Sequence, residues 1–348
     1  MSEVPGTKEK QKTKCVVWDL DNTIWEGILL EDKDVRLREG IADIIKQLDE
    51  RGILQSIASR NEHKHAMAKL KEFGIDEYFI YPQINWCRKS ASVKTIAQSI
   101  NIGMDTLAFI DDQPFERDEV AYSCPDVLCI DSAEVDKLLG MPEMNPRFIT
   151  EDSRLRRKMY RSDIERNCVE QSFEGSQDEF LASLGMVMSI TQVDDNDLKR
   201  AEELTVRTHQ LNATGYTYSY EELDALRKSG QYQLLIAGLE DKYGFYGKIG
   251  LALMECGKEL WTLKLLLMSC RVMSKGVGSV MLNHVMRLAK KADVRLRAEF
   301  VPTDRNRSMY ILYKFAGFKE AEERDGIVIF ENGLETIQPE PEYMRIIV

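Results

Sequence analysis

The sequence predicts two α/β domains in tandem: a parallel, Rossmann-like sheet without a cap, followed by a second α/β domain with much antiparallel sheet. Three observations carry this. Residues 15–131 alternate short apolar runs with stretches of helical period. The texture changes near residue 140, at "GMPEMNPRF". From Gly185 onward the apolar runs follow one another in groups rather than alternating singly with helices.

In the first half the expected strands are "CVVWD", "ILQSIAS", "YFIYPQ", "LAFIDD" and "VLCID". Between them "IADIIKQLDERG", "NEHKHAMAKLKEFG" and "SASVKTIAQSINIG" carry apolar residues at helical spacing, and Gly closes two of them. Such alternation gives a parallel sheet with helices on both faces, and ligands bind outside the carboxyl ends of its strands. The expected boundaries are a flexible end at 1–14, a first domain at 15–140 and a linker with a basic helix at 141–184. A second domain at 185–335 and a tail at 336–348 complete the chain. The second domain reads as a strand, two helices, three strands rich in Leu and Ile, and a helix at "KGVGSVMLNHVMRLAKKA". A strand "RLRAEFV", a helix around "NRSMYILYKFAGF" and a strand "IVIF" follow.

A net charge of -11 argues against general nucleic-acid binding. No apolar run approaches the roughly 18 residues that span a bilayer. The polar start lacks the apolar segment of a signal peptide. Seven cysteines without a CxxC pair suit a reducing cytoplasm better than a disulfide framework. These features lead us to expect a cytoplasmic protein that binds neither nucleic acid nor membrane.

The most informative stretch is "VVWDLDNTIWEG". Asp19 and Asp21 end a buried strand, where two carboxylates repel unless a cation lies between them. "FIDDQPFER" adds Asp111 and Asp112 from another strand end. A set of oxygen ligands suits Mg²⁺. Ser59, with Arg60 and Asn61 beside it, and Thr23 are candidates for holding phosphate oxygens. Lys89 is a candidate for neutralising phosphate charge at the start of the next helix. These pieces, in this order, resemble the haloacid dehalogenase superfamily of phosphotransferases. The resemblance implies that Asp19 attacks phosphorus and that Asp21 protonates the leaving oxygen and then activates water. It implies Mg²⁺ held by Asp19, the Asp21 backbone carbonyl and one of Asp111 or Asp112, and we expect the side chains of Asp19, Asp21, Asp111 and Asp112 to gather around that ion. The gaps from Thr23 to Gly40 and from Ser59 to Lys89 are too short for a cap domain, so the site should admit a bulky partner.

In the second half, "SKGVGSVMLNHVM" sets Gly276 and Gly278 before an apolar helix, where backbone N–H groups can cradle phosphate. With "TDRNRSMYILYKFAGF" following, this resembles the GNAT acyltransferase fold, whose substrates carry a phosphopantetheine arm. That resemblance makes Arg271, Lys275, Gly276, Gly278, Asn306 and Tyr313 candidate contacts for the arm or acyl group. Met273 stands where the family usually has Gln or Arg, a departure that counts against free coenzyme A. On position alone Cys270 reads as a small buried residue. Beside Arg271 and near a helix N-terminus, it also suits a reactive thiolate that forms a thioester.

The whole pattern, "DLDNTIWEGILLED" joined to "LTVRTHQLN" and "LLLMSCRVMSKGVG", resembles the FkbH-like proteins over roughly Cys15 to Phe330. The resemblance implies a glyceryltransferase/phosphatase that takes 1,3-bisphosphoglycerate. It would load the glyceryl unit on an acyl carrier protein through Cys270, toward methoxymalonyl-type polyketide extender units. His209 departs from the usual "RTNQLN", and His209, Gln210 and Asn212 are further candidates. Two other readings stand beside it: a plain Mg²⁺-dependent phosphatase with a scaffold domain, and a non-catalytic module that recruits carrier proteins. Cys87 is the rival nucleophile, with filler the favoured reading. His63 and His65 read as surface residues and His284 as a core histidine. The basic run Arg154–Arg166 reads first as a solvated linking helix, and second as a steering surface for an acidic carrier.

Overall fold

The computed structural model describes residues 12–32 and 34–348. Most of the end expected to be flexible, residues 1–14, therefore lies outside the described residues. Thr13 and Lys14 are tied down through backbone bonds from Thr13 N to Glu143 O (2.9 Å) and from Lys14 N to Thr106 O (2.8 Å). The chain forms two compact units, Met1–Arg161 and Ser162–Val348, which divide within the stretch 141–184 expected to link the domains. No helix among the described residues is long and apolar enough to cross a membrane.

The first unit runs β1 (Cys15–Trp18), β2 (Trp25–Glu26), β3 (Arg36–Leu37), α1 (Ile41–Glu50), β4 (Leu54–Ser59), α2 (His63–Glu72) and β5 (Gln83–Ile84). It continues with α3 (Lys89–Ile100), β6 (Leu107–Asp111), α4 (Pro114–Ser123), β7 (Leu128–Asp131), α5 (Glu151–Arg154) and the start of α6 (Arg156–Ser172). The sheet has the order β5-β4-β1-β6-β7 and is parallel throughout. Every residue of β1, β4 and β6 is buried, as strands covered on both faces require. Ile41, Ile44, Ile45 and Leu48 of α1 pack with Val16, Trp18, Ile57 and Ile110 of the sheet.

The expected strand "YFIYPQ" is mostly absent. Phe79 makes one isolated bridge to Gln55, and only Gln83–Ile84 pairs as β5. Tyr81 sits in the left-handed region (φ 50°) ahead of Pro82, and this bend breaks the run. Neither gap holds an inserted domain: between Thr23 and Gly40, β2 and β3 form a two-stranded hairpin, and Ser59 to Lys89 holds α2, a 3-10 turn (Asp76–Tyr78) and β5.

The second unit holds α7 (Gln177–Leu184), β8 (Met186–Gln192), α8 (Leu198–Arg207), α9 (Tyr220–Lys228), β9 (Tyr232–Asp241), β10 (Gly244–Cys256) and β11 (Leu260–Met268). Then come α10 (Val277–Lys291), β12 (Arg295–Phe300), α11 (Arg307–Phe315), β13 (Lys319–Arg324), β14 (Ile327–Asn332) and β15 (Met344–Ile347). The sheet order is β13-β14-β12-β11-β10-β9-β8-β15. Helix α7 and strands β13 and β15 were not foreseen, and β15 replaces the expected tail at 336–348 with a strand parallel to β8. Helix α9 opens on Ser219, which makes a capping box with Glu222, so "YSYEE" is a helix start with Tyr218 and Tyr220 packed on the core.

The parallel pair β11 and β12 stays joined only from Leu260–Leu263 to Arg295–Ala298. Beyond that the strands part, and the chain's own residues Leu211–Ala213 enter between them. Ala213 N bonds Leu266 O (3.0 Å), Met268 N bonds Leu211 O (2.8 Å), and Val301 N bonds Ala213 O (3.0 Å). One face of the sheet packs on α10 and α11 through Met281, Val285, Phe300 and Phe330. The other packs on α8 and α9 through Leu198, Leu204 and Leu223.

Candidate functional site

At the carboxyl edge of the first sheet, β1 ends at Trp18 and Asp19 N still bonds Ile110 O (2.8 Å), which holds Asp19 beside the end of β6. The chain then turns sharply: Leu20 O accepts from Thr23 N (3.1 Å) and Ile24 N (2.9 Å), and Asn22 adopts φ 53°. Asn tolerates that left-handed geometry better than most residues, which is what "DLDNT" requires at its fourth position.

Lys89, the first residue of α3, places Nζ 2.5 Å from Asp19 Oδ1 and 2.8 Å from Asp111 Oδ2. All three side chains are buried, with Asp111 1% and Lys89 4% exposed. Burial raises the pKa of Asp19; the Lys89 ammonium opposes the rise and the Asp111 carboxylate adds to it. For Lys89 burial works downward, but the two carboxylates prevail and the net shift is upward. Burial, with the Asp111 carboxylate beside it, also raises Asp112.

Carboxylate oxygens of Asp19, Asp111 and Asp112 lie within 4.8 Å of one another. Three carboxylates against one ammonium leave an excess of negative charge, and Asp112 Oδ1 is buried with no hydrogen-bond partner. An orphaned buried oxygen in an all-oxygen donor set fits a hard divalent cation such as Mg²⁺. The hydroxyl of Thr23 is likewise buried without a partner, and Ser59 closes β4 at the same edge.

Asp21 stands apart from that group. Its Oδ1 accepts from Trp25 Nε1 (2.7 Å) and Leu29 N (3.0 Å), and its Oδ2 from Asn61 Nδ2 (3.0 Å). The expectation that the Asp21 side chain joins the metal carboxylates is thereby corrected, since three donors hold it elsewhere. Asn61 serves Asp21 and the Glu62 backbone rather than standing open for phosphate. Arg60 likewise turns away, with Nη1 2.9 Å from Glu116 Oε1 and Nε donating to Cys87 O at 3.4 Å. The sequence reading missed Trp25 and Leu29 as the clamp on Asp21, and missed Arg117, which donates to Asp111 O (2.8 Å) and pairs with Asp131 (2.5 Å). The indole four residues after Asp21 was the legible signal for the first.

In the second unit Cys270 is exposed, at the head of a 3-10 turn (Cys270–Lys275) that follows β11. Position alone suggested a buried filler, and the structure corrects that. The expected phosphate cradle lies at the start of α10, where Gly276, Ser279 and Tyr343 line one cavity. Gly276 has φ 73°, and a Cβ there would collide with the Tyr343 hydroxyl; Gly278 lies against Leu312. Arg271 donates to Tyr246 O (2.8 Å), and Lys275 is buried.

Tyr313 is wholly buried among Phe300, Phe318 and Phe330, with its hydroxyl unpartnered and its pKa pushed up by burial. It is a core residue rather than an arm contact. Asn306 ties loops together, donating to Asn212 O (3.0 Å) and Val301 O (2.9 Å). Asn212 accepts from Gly215 N (2.9 Å), while His209 and Gln210 are exposed. Cys87 is exposed in the loop before α3, and His63 and His65 are exposed on α2. Arg157 pairs with Asp49 (2.9 Å) and Glu77 (3.0 Å), and Arg166 with Asp163 and Asp241 (2.7 Å each). Both are anchors within their own units, not parts of a solvated docking face.

Comparison with known proteins agrees with the first unit's geometry. The family model described as haloacid dehalogenase-like hydrolase matches residues 8–118. The chain therefore carries a haloacid dehalogenase-like hydrolase domain at its N-terminal end. Among solved structures it is similar to the N-terminal, phosphatase-domain part of a Bacteroides fragilis protein complexed with Mg, at 28% identity and TM-score 0.32. That match covers 39% of this chain and 41% of the other, so the chain spans about two fifths of that relative's length. It is also similar to the ribosomal-protein-S18-alanine N-acetyltransferase of Escherichia coli, at 19% identity and TM-score 0.33, covering 41% of this chain and 92% of that one. The GNAT domain of S. lividans PAT gives 16% identity and TM-score 0.33, covering 41% and 88%. No curated protein matches the chain.

Proposed function

We propose that this protein is a glyceryltransferase/phosphatase: its first unit removes phosphate, and Cys270 of its second unit carries a glyceryl group from 1,3-bisphosphoglycerate to an acyl carrier protein. The observation that supports the reading most is the Asp19–Lys89–Asp111 constellation with the orphaned oxygen of Asp112, joined in one chain to an exposed cysteine at the end of β11.

For a phosphate monoester, an Asp19 oxygen attacks phosphorus, the bond from phosphorus to the ester oxygen breaks, and Asp21 gives that oxygen a proton. Water then attacks the aspartyl-phosphate, Asp21 takes its proton, and inorganic phosphate leaves. The donors from Trp25, Leu29 and Asn61 fix the Asp21 carboxyl for both transfers. Lys89 holds Asp19 in place and offers its ammonium to phosphate oxygens. Asp19, Asp111 and Asp112 would hold Mg²⁺, which when bound neutralises charge on the carboxylates and the phosphoryl oxygens.

For loading, the Cys270 thiolate attacks the acyl-phosphate carbonyl and the carbon–oxygen bond to phosphate breaks, leaving a thioester. The carrier thiolate attacks that carbonyl and releases Cys270. With all seven cysteines free, the chemistry suits a reducing compartment such as the cytoplasm.

Two observations favour the plain phosphatase: the Tyr343 hydroxyl lies against Gly276, and the segment Leu211–Ala213 fills the gap between β11 and β12. Intact-mass analysis after mixing the protein with 1,3-bisphosphoglycerate and Mg²⁺ decides between them. A glyceryl or phosphoglyceryl adduct on Cys270 is the expected result. Phosphate release with no adduct would leave the phosphatase alone.

A further inference from the structure

The second unit contains a cavity of about 980 Å³ that Cys270 does not line. It lies among α7, α10, α11 and the segment 338–343 that leads into β15. Its volume falls within the roughly 300–1,000 Å³ of sites that take small molecules. Gly276, Ser279, Val280 and Asn283 all line it, so it runs along one side of α10 for about two turns.

The charge of this cavity has one sign. Asp178, Glu179, Glu340 and Glu342 line it, and no Lys or Arg does. Glu179 is committed to the capping box that opens α7, and Glu340 pairs with Arg287 (2.7 Å). Asp178 and Glu342 have no side-chain partner among the described residues. Burial raises the pKa of Tyr343, and the Asp178 carboxylate adds to the rise. In the same wall Asn283 is only 5% exposed, and its side-chain amide makes no hydrogen bond among the described residues. Its neighbours Val280, Leu282 and Met286 on α10 are buried and apolar. An amide in such a place is costly unless a partner reaches it. Leu312 and Phe315 of α11 complete an apolar side, with Phe315 80% exposed.

Four carboxylates without a lining cation repel phosphates and carboxylic acids. A primary ammonium suits the cavity better, because it carries the opposite charge and three N–H donors for an amide oxygen. An apolar stem suits the rest. We propose that this cavity binds a small primary amine, whose ammonium group donates to the Asn283 amide oxygen in the field of Asp178 and Glu342 while its stem covers Leu312 and Phe315. Cys270 is not a lining residue, so the site stands or falls apart from the acyl-carrier reading.

Isothermal titration calorimetry on the full chain, at neutral pH and constant ionic strength, supplies the test. The probes share one stem: hexylammonium, hexyltrimethylammonium, 1-hexanol and hexanoate. Hexylammonium should bind saturably and about tenfold or more tighter than 1-hexanol, and hexanoate should give no binding heat. Hexyltrimethylammonium keeps the charge and loses every N–H donor, so it should bind at least about fivefold more weakly than hexylammonium. Asn283→Leu should weaken hexylammonium about tenfold, and Asp178→Asn combined with Glu342→Gln about threefold or more. Absence of saturable binding, equal affinity for the alcohol, or unchanged affinity in a folded Asn283→Leu overturns the proposal. So does equal affinity for the two ammonium probes, which would mean attraction to acidic surface alone. Should Asn283→Leu fail to fold, the four probes on the natural protein and the Asp178→Asn/Glu342→Gln variant still decide.

Discussion

Lys89 Nζ stands 2.5 Å from Asp19 Oδ1, so the residue read as nucleophile is held by a cation from the chain itself. The same ammonium reaches Asp111, and both contacts are buried. Removing it strands two carboxylates in low dielectric. Lys89→Met should therefore cost about 3–5 kcal/mol of stability without metal, the usual loss when a buried ion pair keeps one partner. Chemical denaturation in the presence of chelator measures this, and an unchanged midpoint would refute it.

Asp19→Asn should abolish Mg²⁺-dependent phosphate release, by at least about 10³-fold, because the amide is no nucleophile. Asp21→Asn should cost roughly 10²–10⁴-fold through loss of proton transfer. It should still fold, since an amide oxygen accepts from Trp25 and Leu29, although its NH2 then faces the Asn61 amide in place of an acceptor. A colorimetric phosphate assay distinguishes the two variants, and near-natural turnover in either contradicts its assigned role.

Mg²⁺ should raise the melting temperature, because an ion bound only by the folded state stabilises it. The effect should shrink in Asp112→Asn, which removes the negative charge from the carboxyl group whose oxygen has no partner within the protein. Chelation should stop phosphate release, and Ca²⁺, larger and less strict in geometry, should restore it poorly. Equal melting shifts in the natural protein and the variant would count against Asp112 as a ligand.

Cys270→Ala should keep full phosphate release from a simple monoester and lose every acyl adduct. The thiol is exposed and its loss leaves no cavity, so the melting temperature should move little. An adduct that persists in the variant would point to another exposed cysteine, such as Cys87.

His284, half-buried in α10, has its pKa depressed by burial, with Arg287 adding to the effect. The folded state thus binds fewer protons than the unfolded one just below the ordinary histidine value of about 6.5. Stability contributed by the neutral ring is present above that pH and is lost as pH falls toward the depressed value. His284→Gln should flatten this part of the stability–pH curve, and a curve that keeps its slope would place the titration elsewhere.

Much of the first unit was legible in the sequence, because burial on both faces leaves strands such as "CVVW" and "LAFID" as unbroken apolar runs ending in acids. Side-chain commitments were not legible. Nothing in the spacing of Arg60 reveals that Glu116, brought up by the first turn of α4, claims it. Tyr313 and Asn306 looked like ligand contacts because they fall in a motif, whereas their surroundings make one a core residue and the other a loop tie. The insertion of Leu211–Ala213 between β11 and β12 depends on contacts across more than fifty positions, which local pattern cannot encode. Strand β15 escaped notice because four residues after a proline-rich stretch carry too little periodicity to read.

That last strand has a practical corollary. β15 shields β8, whose Met186, Met188 and Ile190 face the core, and pairs with it along one side from Met186 to Ser189. Trimming the chain before Met344 would bare that row of backbone donors and acceptors to any passing strand. Shortened forms should then self-associate in solution while keeping the phosphate chemistry of Asp19, and a purification tag is better placed at the other end.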